Sequence, residues 1–238
     1  FVGSRGNRFY LNPVTAELCS HELAEAAVGA DEVTFVTYWP AITPLYGVRS
    51  RELALLETGH MLGLFTGELE RRGVAYQVSY EDERLDDDHT VLCRVRIGVG
   101  TRFVPEPLTL ACFTRDNEDY AEVGGGRDLK LDEFGVFDRA TDAFAVLRKG
   151  RCLLTLEGAD NATARISAGF VFQRLRDALH DDALGTCMLG FNPTESGVYT
   201  MVVGRVPVEE LRSAQSRADI RELTEIINAE LSGVLPSC

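Results

Sequence analysis

The chain repeats itself, and that limits the folds open to it more than any single motif does. Phe9 to Thr15, an aromatic strand-like run, returns at Gly135 to Thr141. The β-rich run from Val33 to Trp39 returns at Cys152 to Glu157, and a long amphipathic helix follows each. Those helices align on Gly59 and Gly169, and later apolar strands end alike at Val99-Gly100 and Val203-Gly204. Self-similarity of this length means duplicated domains rather than a solenoid. The copies are expected at residues 1–103 and 104–238, the second carrying a C-terminal helical tail. Such a fused pair can build one site between its copies.

With 238 residues, 45% of them hydrophobic, the chain can bury a substantial core. A formal charge of −13 and the lack of any long Lys/Arg cluster argue against nucleic acid and against anionic membranes as partners. No run of 18 apolar residues and no signal-peptide pattern stands out, so the sequence reads as soluble and cytoplasmic. The chain begins with Phe1 rather than Met, which reads as one piece of a longer polypeptide or a processed product. Six cysteines without a CxxC pair read as reduced thiols.

Periodicity predicts a helix over Leu18 to Val28, a strand over Val33 to Tyr38 and an interruption at Pro40 and Pro44. A helix capped by Ser50 should run to Arg72-Gly73, with Gly59, Gly63 and Gly67 forming a smooth stripe for close approach of another backbone. Strands follow at Val74 to Tyr80 and Thr90 to Gly100, with an acidic loop at Glu81 to His89 between them. In the second copy, strands are expected at Leu108 to Thr114, Cys152 to Leu156 and Tyr199 to Val203. Thr186 to Gly190 reads as a turn or strand. Helices are expected at Thr141 to Arg148, Ala164 to His180 and within Glu209 to Ser232. The class is α+β, with helices layered on sheet.

Leu45-Tyr46-Gly47-Val48-Arg49, running into Glu52 to Gly59-His60, resembles the Lys-Tyr-Gly-x-Arg motif and following helix of SagB/McbC-type dehydrogenases. These are flavin-dependent members of the nitroreductase superfamily. Gly169 with Gln173, Leu184-Gly185-Thr186 and Gly190-Phe191-Asn192 resemble a second run of that superfamily. Val203-Gly204 leading to Gln215-Ser216-Arg217 resembles its C-terminal segment. The resemblance implies tandem nitroreductase-like domains, sheets flanked by long central helices, and one FMN. Gly190 would approach the flavin, Ser216 and Arg217 would hold its phosphate, and Tyr46 would be the catalytic acid/base.

The activity implied is oxidation of thiazoline or oxazoline rings in a peptide natural product. The peptide would arrive on a leader peptide or a carrier protein, within a larger biosynthetic enzyme or complex. Leu45 stands where the motif has lysine, and Gln215 where the C-terminal segment has lysine. These departures open an alternative: a catalytically inactive nitroreductase-like pseudoenzyme acting as a scaffold or a carrier- or peptide-binding partner.

Each site residue also has a plainer reading. Tyr46 can be a loop aromatic over the core, Arg217 a surface charge and His60 a satisfied core histidine. Asp86-Asp87-Asp88-His89 reads as a solvated loop rather than a metal site, and no metal is expected. Gly124-Gly125-Gly126 reads as a turn, and Asn161-Ala162-Thr163 matches a glycosylation sequon without evidence of secretion.

Overall fold

The computed structural model describes residues 2–4, 7–11, 18–20, 32–100, 103–116, 119–129, 150–181, 185–189, 192 and 194–204. They form an α+β fold in two compact units. The first unit holds β1 (Val2–Ser4), β2 (Asn7–Leu11), β3 (Leu18–Ser20), β4 (Glu32–Tyr38), β5 (Tyr76–Arg84) and β6 (His89–Ile97). They make one antiparallel sheet in the order β3-β2-β1-β4-β6-β5.

The second unit holds α1 (Trp39–Tyr46) and α2 (Ser50–Arg71) from the first half of the chain. Its other elements are β7 (Thr109–Asp116), β8 (Asp119–Glu122), β9 (Asp128–Leu129), β10 (Cys152–Glu157), α3 (Ala162–Asp181), β11 (Gly185–Leu189) and β12 (Gly197–Gly204). Its strands run β9-β8-β7-β10-β12-β11, again all antiparallel. This is the order of the first sheet, strand for strand, and in each half a long helix falls between the fourth and fifth strands. The repeat is therefore a repeat of topology. Topology pairs β2 with β8, not with Gly135 to Thr141, which lies outside the described residues.

The glycine stripe has a partner. A methyl group built on Gly59 would overlap the Ile166 carbonyl oxygen and come within 2.8 Å of Gly169 Cα. One built on Gly169 would overlap the Leu56 carbonyl and reach within 3.1 Å of Gly59 Cα. The two residues that align the copies in sequence are thus where α2 and α3 cross. Below the crossing, Leu56, Ala168 and Phe172 pack with Leu154 and Leu156 of β10 and with Tyr199, Met201 and Val203 of β12. The opposite face of this sheet buries Ala111, Phe113, Tyr120, Leu153, Leu189 and Val202. Burying apolar side chains on both faces of β10 and β12 explains their nearly unbroken hydrophobic runs.

Several local expectations shift. Leu18–Ser20 is a strand where a helix was expected; residues 21–31 lie outside the described set. The acidic stretch is part strand, since β5 continues past a bulge at Glu81-Asp82 to Glu83 and Arg84 before residues 85–88 turn. Pro40 and Pro44 do not break the chain's course but sit within α1. Pro40 lies in the first turn, where a missing N–H costs little, and the helix ends two residues after Pro44. Ser50 is not a cap: it is already helical, and its hydroxyl donates to the Gly47 carbonyl at 2.6 Å. The helices expected at Thr141 to Arg148 and within Glu209 to Ser232 lie outside the described residues.

Candidate functional site

The site begins at the turn between α1 and α2. Gly47 has φ +54°, a left-handed conformation that glycine adopts without a Cβ penalty, and it lets the chain re-enter helix within three residues. That turn places Arg49 three residues before Glu52 of α2. The Arg49 guanidinium donates Nε to Glu52 Oε2 at 3.2 Å and Nη2 to Oε1 at 3.1 Å, a two-pronged pairing.

Asn161 caps α3, its Oδ1 accepting the Ala164 N–H at 2.8 Å. The sequon-like asparagine is thus a helix cap. One turn into α3, Arg165 lies with Nη1 2.9 Å from Glu52 and Nη2 2.5 Å from Asp160. Burial pushes the Glu52 carboxyl up, but the hydrogen bond and charge of Arg49, with those of Arg165, outweigh it and hold the group below its ordinary value of 4.5. Glu52 is therefore a carboxylate at neutral pH.

Arg49, Glu52, Asp160 and Arg165 line a cavity of about 390 Å³. The loop between β11 and β12 closes it with Asn192, Thr194, Glu195, Ser196 and Gly197. Asn192 is pinned to β12: its amide donates to the Val198 carbonyl and its oxygen accepts from Thr200 Oγ1, both at 3.4 Å. The volume suits a small molecule or a short peptide segment.

Of the residues singled out in the sequence, Tyr46 is the last residue of α1 and does not line this cavity. It is 51% exposed beside Leu45 and Val48, which are exposed too. Gly190, Ser216 and Arg217 lie outside the described residues. The two family-like segments nevertheless both reach the cavity, through Arg49 from residues 45–49 and Asn192 from residues 190–192. Sequence reading passed over Glu52, Asp160 and Arg165 as a group. The Asp160–Arg165 spacing was visible, but the pairing with Glu52 spans more than a hundred residues.

His60 is buried, and both ring nitrogens are bonded: Nδ1 to Gln173 Oε1 at 3.3 Å and Nε2 to the Tyr199 hydroxyl at 3.2 Å. Because the Gln173 amide nitrogen donates to Asp177 at 2.8 Å, its oxygen faces His60 and Nδ1 carries the hydrogen. In the acidic turn, Asp86 Oδ1 accepts the backbone N–H groups of Asp88 and His89, each at 2.8 Å. Among the described residues no group of His, Cys, Asp and Glu is placed to hold a metal ion. No described helix is long and apolar enough to cross a membrane.

No family profile, curated protein or solved structure matches the chain. The cavity's own chemistry therefore has to carry the functional reading. FMN would bring a phosphate dianion, which needs uncommitted cationic donors. Here two guanidiniums face three carboxylates, those of Glu52, Asp160 and Glu195, and both arginines are already ion-paired, although Arg165 Nη1 has no aligned hydrogen-bond acceptor. The described lining does not fit that group.

Proposed function

We propose that the chain is a duplicated nitroreductase-like domain that serves as a peptide-binding partner in a biosynthetic assembly, receiving a leader- or carrier-delivered peptide in the Arg49–Arg165 cavity. The observation that carries this reading is the neutralisation of both arginines by Glu52 and Asp160. A site whose cations are spent on its own carboxylates favours a neutral, hydrogen-bonding ligand over an anion. A peptide backbone is such a ligand, and Asn192, Thr194 and Ser196 give the lining polar, uncharged side chains that suit it. Leu45, in place of a lysine, leaves Tyr46 on an exposed apolar turn, which suits contact more than proton transfer.

A second reading keeps the enzyme: an FMN-dependent dehydrogenase of thiazoline or oxazoline rings. It is favoured by the meeting of both family-like segments at one cavity, and it assigns the cofactor to Gly190, Ser216 and Arg217. The two readings part on colour. Purified chain mixed with excess FMN and desalted should show no flavin absorbance, while a short N-acetylated thiazoline peptide amide should bind and lose affinity on Asn192→Ala. One FMN retained per chain would overturn the binding-partner reading. In that case Tyr46→Phe should slow peptide-dependent flavin reduction by orders of magnitude.

A further inference from the structure

Two thiols on neighbouring strands of the second unit are used by neither reading. The register of β7 against β10 pairs Cys112 with Leu154 and Cys152 with Thr114. Cys112 and Cys152 are therefore diagonal neighbours on one face, the face that carries Leu154 and Leu156. Both are free and half-buried at the margin of that cluster, so a small oxidant can reach them. Cys112 is close enough to Cys152 to help raise its pKa.

We propose that Cys112 and Cys152 form a reversible disulfide that ties β7 to β10. The oxidant is a low-molecular-weight disulfide. One cysteine, as thiolate, attacks a sulfur of that disulfide and expels one thiol, giving a mixed disulfide. The other cysteine then attacks the protein-side sulfur and expels the second thiol. Two S–H bonds are lost, one S–S bond forms in the protein, and one S–S bond is reduced to two thiols. Burial, and then the neighbouring Cys112, push the Cys152 thiol up to about 11, which keeps it protonated at neutral pH and makes closure slow. The bond would close a loop of about forty residues and, by limiting the unfolded chain, raise the folded-to-unfolded ratio on the order of hundreds-fold.

The test treats the native full chain with oxidised glutathione, digests it without reduction and maps the linked peptides by mass. The expected result is a Cys112–Cys152 linked peptide, lighter by two hydrogens than its reduced parts and released by dithiothreitol. It should form in Cys93→Ser and be absent in Cys152→Ser. The denaturation midpoint of the oxidised chain should rise above that of the reduced chain. Glutathione retained on either cysteine, a link to another cysteine, or a link that forms only in denaturant would overturn the proposal.

Discussion

The two sheets share one strand order but are fastened differently. In the first, β6 is buried from Thr90 to Cys93 and alternates only beyond it, where Val95 is buried and Arg94 and Arg96 turn to the other face. There Arg94 pairs with Glu32 at 3.2 Å and also with Glu83, and Arg96 reaches Glu32 at 3.6 Å. In the second, the equivalent β12 buries every residue from Val198 to Val203, because apolar clusters lie on both of its faces. The same topology thus accommodates a strand whose end is held by ion pairs and one that is buried along its whole length. Among the described residues, α2 and α3 both belong to the second unit.

The largest effect should come from breaking that helix pair. Gly59→Ala puts a methyl group against the Ile166 carbonyl and Gly169 Cα, both backbone, so nothing can swing aside. A loss of about 3 kcal/mol or more in chemical denaturation is expected. Gly67→Ala, on the same stripe, meets only the Arg174 guanidinium at 2.7 Å, a flexible end that can move. With about 1 kcal/mol of helix propensity in its favour, that variant should be near neutral. Equal losses at the two positions would mean that the crossing is not centred on Gly59.

Next is the charged face of the first sheet. Arg94 and Glu32 are 19% and 10% exposed, so Arg94→Ala leaves a largely buried carboxylate with only the longer contact to exposed Arg96 and should cost about 2 kcal/mol. The comparison is Arg127→Ala in the second unit, where a 40% exposed guanidinium joins Glu122 and Glu157. Glu122 and Glu157 are 15% and 13% exposed, but the guanidinium between them is open to solvent screening, and the loss should be the smaller of the two. A reversed ranking would show that the ionic fastening of the first sheet is incidental.

Much of this fold was legible where pattern and burial coincide. β4, β10, α2, α3 and the end of β12 followed from apolar periodicity, and Gly59 and Gly169 marked their own meeting point, whereas β6 stops at Ile97, short of the expected Gly100. Legibility failed where polar residues sit in ladders. Glu83 and Arg84 extend β5 past a bulge at Glu81-Asp82 because β6 offers its backbone, and Glu83 is paired with Arg94, information that no local window holds. It failed again at α1, whose residues are all at least partly exposed, so that two prolines outweighed its weak helical signal. The cavity was half legible. Arg49 and Asn192 lie in segments that the motif reading picked out, whereas Glu52 and Arg165 meet only through the packing of α2 on α3.

The smallest expected effect concerns His60, a buried titratable group between the helices and β12 of the second unit; the first unit's His89 instead stacks on Tyr38 at the start of β6. Burial lowers the His60 pKa from 6.5; Glu57 and the Gln173 hydrogen bond oppose the shift, and Arg176 adds to it. As pH falls below 6.5, the unfolded chain takes up the proton first, so stability is present above 6.5 and is lost as pH falls toward the folded value. Glu52 acts in a separate, lower window, its contribution fading only as pH drops below 4.5. Denaturation midpoints measured from pH 7 to pH 5 should decline in the parent chain and flatten in His60→Gln, which keeps a hydrogen-bonding side chain but cannot titrate. A decline of equal slope in the variant would assign the pH response to other groups and leave the His60–Gln173–Tyr199 network as packing alone.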